Sequence, residues 1–161
     1  MNPGRGLRRA SWAGTVLFVV TAIAAAVAPS TFEPVALAVA AGLFVAGCGV
    51  FLWAFFAMAG RSRTAQLELA QVWFLVGPPT PPPVRLSLLA SFGVEVVVGF
   101  ATAGARPYTS LAAGVLVPVY GLAFCGLWAA RHGTFPPRAA VPGRPTRRLR
   151  SPDADPGEPN P

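Results

Sequence analysis

One carboxylate lies in the middle of an apolar run. Leu86 to Ala105 reads LSLLASFGVEVVVGFATAGA, and Glu95 is tenth of its 20 residues. A carboxyl group in such a place can bridge helices, carry a proton or contact a cation. Ionised at mid-bilayer it would cost about 2.5 to 3.5 kcal/mol, taking the insertion-scale value for Asp. Two arrangements lower that cost: the group stays neutral, or it finds a partner inside a bundle. At about 100° per residue, Ser87, Ser91, Glu95 and Thr102 fall within one arc of about 80°. A polar side of this kind is expected to face other helices rather than lipid. Tyr120 lies midway along the next apolar run, at similar depth. Its hydroxyl, or a hydroxyl on the shared stripe, is expected to hydrogen-bond Glu95. These five residues are the candidate intramembrane polar site.

Other chemistry is sparse. Cys48 and Cys125 both sit in apolar runs, outside any metal-ligand spacing. Counted from the same end of two parallel spans, their depths differ by about 9 Å, too much for a disulfide. His132 is the only histidine, so one chain cannot build a His/Cys metal cluster. No nucleophile–base pair or phosphate loop is present, and the loops are too short for a soluble active site. No enzyme activity and no cofactor are expected. Arg144, Arg147, Arg148 and Arg150 form a basic cluster near the C-terminus, a candidate contact for anionic lipid.

The elements that must position Glu95 follow from composition. Of 161 residues, 53% are hydrophobic and 12% charged, with a mean hydropathy of +0.54. Soluble domains carry about 25% charged residues. A bilayer core of ~30 Å needs about 20 apolar helical residues. Four runs qualify: about 12–28, 35–59, 86–105 and 109–130. They are continuous rather than alternating, which argues against a membrane barrel. The fold class expected is all-α, a four-helix transmembrane bundle (12–130) with a disordered Pro/Arg-rich C-terminal tail (131–161).

The first run follows a short polar start (1–11) and ends on Ala26-Val27-Ala28, which also suits a cleaved signal peptide. Pro29 after that site and the length of the run favour a retained span. Pro29 to Pro34 is expected to be a turn between helices. In the second run Ala38, Gly42, Ala46, Gly49 and Trp53 share one stripe, suited to close helix contact. An interfacial helix is expected over about 64–76, with packing against the bundle an equal alternative. Gly77 to Pro83 should be extended. Pro118 should kink the fourth run, whose Gly114, Pro118, Gly121 and Cys125 share a small-residue stripe.

All 13 basic residues are Arg. With four spans, both termini and the 60–85 connection share one side and hold 12 of them. The positive-inside rule makes that side cytoplasmic in a plasma-membrane protein. The same placement explains the net charge of +7 without nucleic acid, for which no aromatic–basic platform exists.

The segments Arg106-Pro107-Tyr108, Tyr120-Gly121-Leu122 and Leu127-Trp128-Ala129-Ala130-Arg131-His132-Gly133-Thr134-Phe135-Pro136-Pro137-Arg138 resemble a family of small, uncharacterised multi-span membrane proteins of high-GC actinobacteria. The resemblance covers about the last half of the ordered chain and implies no activity, ligand or functional residue.

The residues point first to a non-enzymatic membrane scaffold or accessory subunit. Its small-residue faces would pack against another membrane protein or a second copy. The alternative is a small oligomeric transporter or channel, with Glu95 as the proton or cation coupling group.

Overall fold

The computed structural model describes residues 4–62, 69–76 and 80–136. All regular structure among them is helical: α1 (Arg5–Val27), α2 (Pro29–Arg61), α3 (Leu69–Trp73), α4 (Pro82–Ala105), a 3-10 segment (Ser110–Leu116) and α5 (Pro118–His132). Four helical stretches are long and apolar enough to cross a membrane: α1, α2, α4, and the 3-10 segment continued by α5. Their outer faces carry bare hydrophobes, among them Val16, Val20, Val45, Phe56, Val97 and Phe100. A surface apolar on this scale is what lipid, rather than water, tolerates. The chain is thus compatible with an integral membrane protein.

Several boundaries differ from those expected, each for a local reason. The α1 helix begins at Arg5, so most of the supposed polar start is helix. Pro29 occupies the first position of α2, where its missing N–H costs no helical bond. Pro34 lies inside the helix but forfeits only a bond to the first turn. The turn expected over Pro29 to Pro34 is instead the start of α2, and the break between the two helices is Ala28 alone. Pro82 and Pro83 likewise open α4, four residues earlier than expected. At Pro118 the chain changes helix type instead of kinking a continuous helix. Val117 N–H closes a three-residue bond to Gly114 at 3.1 Å, and α5 starts at Pro118.

The hub of the bundle is α5. Nine of its 15 residues are buried, and it packs on α1, α2, α3 and α4. Gly47 brings α2 against it: a Cβ there would stand 2.8 Å from the Tyr120 backbone. The buried side of α2 is Ala36, Ala40, Gly47, Ala54 and Met58. The stripe of Ala38, Gly42, Ala46, Gly49 and Trp53 faces outward and makes no contact within the bundle's core. Small residues line both sides of this helix, so spacing alone could not choose between them.

Of the expected interfacial helix, 63–68 lies outside the described residues. The described part, α3, packs on α5. Trp73 stacks on Phe51 with ring centroids 4.1 Å apart and covers Gly126. Val72 and Leu75 join a core with Leu88, Phe124 and Trp128. The alternative reading, packing against the bundle, describes it. The tail from 137 onward, with Arg144, Arg147, Arg148 and Arg150, lies outside the described residues.

The arginine-bearing helix ends gather at one end of the bundle. Arg61, closing α2, donates to Ala130 O (2.7 Å) and Gly133 O (3.1 Å) at the end of α5. Trp12 near the start of α1 donates to Ser87 near the start of α4 at 3.1 Å. At the opposite end Glu33 of α2 accepts bonds from the Ser110 N–H and hydroxyl. A carboxylate is thereby set at the N-terminus of the 3-10 segment, where negative charge is favoured.

Candidate functional site

Glu95 is fully buried where α1, α4 and α5 meet. Helical period puts Ser91 one turn before it on α4, and Ser11 and Thr15 one turn apart on α1. All four are 0% exposed, which in a bundle demands that each polar atom find a partner.

They find them in one another. The Thr15 hydroxyl bonds to Glu95 Oε1 at 2.7 Å and also lies 2.7 Å from Ser91 Oγ. Ser91 Oγ is 2.9 Å from Ser11 Oγ. The Thr15 hydroxyl further reaches the Ser11 carbonyl at 3.1 Å. The other carboxyl oxygen, Oε2, accepts the backbone N–H of Gly121 on α5 at 3.0 Å.

That last bond depends on how α5 begins. In α1, α2 and α4 the fourth helical N–H returns to the carbonyl of the capping residue: Arg8 to Gly4, Phe32 to Ala28, Arg85 to Pro81. In α5 the cap is Val117, whose carbonyl takes the Tyr120 N–H at 2.8 Å. Gly121, one residue on, gives its N–H to Glu95 instead. The change of helix type at Pro118 thus turns a backbone donor sideways, and the carboxyl of α4 satisfies it. Only glycine fits at 121. A Cβ there would meet Glu95 Oε2 at 2.5 Å and Phe92 Cα at 3.0 Å.

The five residues singled out from sequence separate in the structure. Ser91 and Glu95 meet in the buried network. Ser87 stands at its mouth, half-buried, accepting the Trp12 indole N–H. Thr102 bonds back to Val98 O (2.8 Å) and Gly99 O (3.1 Å) of its own helix, outside the network. Tyr120 corrects the expectation made for it: its hydroxyl donates to Ala10 O on α1 at 2.8 Å, not to Glu95. Its ring crosses Gly14, where any side chain would collide with it, and so carries the hydroxyl past Glu95 to α1. The expected hydroxyl partner role falls to Thr15.

Spacing in the sequence missed Ser11 and Thr15. Ser11 was assigned to the polar start, and Thr15 is one hydroxyl in an apolar run. Their separation of four residues was the available signal. Cys48 and Cys125 are both free thiols. Among the described residues no three His, Cys, Asp or Glu side chains cluster as a metal site would require.

The fold and site define a class, a helical bundle with four membrane-length spans cross-linked by one buried acid. No known family, characterised protein or solved structure matches the chain.

Proposed function

We propose that the protein is a non-enzymatic membrane scaffold or accessory subunit, in which Glu95 locks the bundle and the outer side of α2 meets a partner. The observation that carries this reading is the complete enclosure of Glu95, 0% exposed, with both oxygens bonded to neighbouring helices. A coupling carboxyl has to exchange its proton or ion with water; a structural one does not.

Hydrogen-bond counting agrees. Four short contacts join Ser11 Oγ, Ser91 Oγ, Thr15 Oγ1, Glu95 Oε1 and the Ser11 carbonyl. Ser11, Thr15 and Ser91 bring one hydroxyl proton each. A proton on Glu95 completes the set, and a neutral acid is the form that hydrocarbon tolerates.

The partner face is the outward stripe of Ala38, Gly42, Ala46, Gly49 and Trp53. Nothing lies within 4 Å of a Cβ built at Gly42 or Gly49, which leaves room for a second helix to approach closely. The partner is another membrane protein or a second copy. The arginine-bearing end is cytoplasmic by the positive-inside rule, with both termini on that side of the plasma membrane.

The transporter reading keeps one observation in its favour. Hydroxyls of Ser11, Ser91 and Thr15 lead from the arginine end towards Glu95. A row of this kind is what a proton path would use.

The test is a pull-down of the full-length chain from native membranes in mild detergent, beside the variant Gly42→Ile/Gly49→Ile. A stable membrane partner, or a dimer, that is lost in the variant while monomer stability is kept supports the scaffold. No stable associate in either sample contradicts it.

A further inference from the structure

At the arginine end, α1 and α4 enclose an open cavity of about 500 Å³ lined by Arg5, Arg8, Arg9, Trp12 and Ser87. We propose that this cavity binds the phosphate of an anionic phospholipid headgroup.

The charge has no described counter-ion. Among the described residues only Glu33 and Glu95 are acidic. Glu95 is sealed in the bundle, and Glu33 is bonded to Ser110 at the far end. Among the described residues no carboxylate therefore competes for the three guanidiniums, whose planar donor forks match phosphate oxygens. Ser87 accepts the Trp12 N–H at 3.1 Å. Its own hydroxyl proton is left to donate to a ligand oxygen.

The helix face below the cavity selects a lipid. At about 100° per residue, Arg5, Arg8, Arg9, Trp12, Val16, Val20 and Ile23 lie within one arc of about 120°. Along that arc the chemistry runs basic, then aromatic, then apolar. Val16, Val20 and Ile23 are 54%, 59% and 57% exposed. Phosphate, interface and acyl chain follow in the same order in a phospholipid. Trp12 sits where interfacial tryptophan is enriched. A free phosphate would use the arginines but leave the apolar rail without a role. A choline headgroup would bring a cation beside three arginines and no described carboxylate, so a net anionic headgroup is preferred. The site is distinct from the basic cluster Arg144–Arg150 of the tail.

The experiment uses the full-length protein in mild detergent, with lipid retention read by native mass spectrometry and thermal stability read in parallel. Phosphatidylglycerol, phosphatidylcholine and inorganic phosphate are the probes. The expected result is one retained phosphatidylglycerol with a raised Tm, and little retention of phosphatidylcholine. Arg8→Gln should weaken retention about fivefold, since a basic residue near the surface contributes about a factor of five. Ser87→Ala should weaken it without removing charge, which guards against an altered orientation of the arginine variant. The tail variant Arg144→Gln/Arg147→Gln/Arg148→Gln/Arg150→Gln should retain lipid as the wild type does. Equal retention of both lipids overturns the proposal. So does loss of retention in the tail variant alone, or the same Tm shift from millimolar inorganic phosphate.

Discussion

Glu95 Oε2 accepts the Gly121 N–H at 3.0 Å, so one span caps the opening turn of another from the side. The bond ties α4 to the helix that packs on α1, α2, α3 and α4 alike. With Oε1 held by Thr15 at 2.7 Å, a single side chain joins three spans.

Glu95→Gln should fold and retain the bundle, with stability within about 1 kcal/mol of wild type. The amide oxygen can accept from Gly121 and the amide nitrogen can donate to Thr15, as a neutral acid would. Glu95→Leu leaves the Gly121 N–H without an acceptor and the Thr15 oxygen without its donor, at about 1 to 3 kcal/mol per unsatisfied group in soluble proteins and less in lipid. Thermal unfolding in detergent separates the two variants. Equal loss in both would remove the neutral-acid description.

Thr15→Val removes the hydroxyl that reaches Glu95 Oε1 and Ser91 while keeping side-chain shape. We expect a loss of about 1 kcal/mol and little loss in Thr15→Ser. A double-mutant cycle with Glu95→Leu should be non-additive by at least about 0.5 kcal/mol, because each substitution removes the same Thr15–Glu95 contact.

Much of the architecture is legible in the sequence, because the length of an apolar run is a direct signal of a span. The polar side of α4 is legible for the same reason: a 3.6-residue period brings Ser87, Ser91 and Glu95 together without knowledge of any neighbour. Their partners are not. Which hydroxyl meets Glu95 depends on how α1 rotates about its axis. That rotation is set by close contacts such as Gly14 under the Tyr120 ring. Gly121 contributes a backbone N–H, which no side-chain pattern reports. Only Pro118, four residues after Gly114, hinted that backbone bonding would be irregular there. Which small-residue side of α2 packs inside the bundle is not legible, because Ala and Gly populate both of its sides.

Gly121→Ala should destabilise the bundle by about 1 to 3 kcal/mol, the usual range for an overpacked core. Its Cβ has to displace Glu95 or the Phe92 backbone. Gly93→Ala on α4 is the matched control, since nothing lies within 4 Å of its Cβ. Its Tm should hold or rise, as Ala favours helix over Gly.

Arg61→Gln should loosen the end of α5. The guanidinium donates to Ala130 O and Gly133 O, carbonyls at a helix C-terminus where a cation is favoured by about 0.3 to 1 kcal/mol. Hydrogen exchange at Arg131 to Gly133 should accelerate, while amides near Gly121 keep their protection.

The most direct test of Glu95 as a structural acid is proton flux in proteoliposomes. The full-length chain and Glu95→Gln are reconstituted at equal density, and an imposed pH gradient is followed with an entrapped dye. The account predicts the same slow decay for wild type, variant and protein-free vesicles. Faster decay in the wild type that Glu95→Gln abolishes would contradict it and make Glu95 a coupling group.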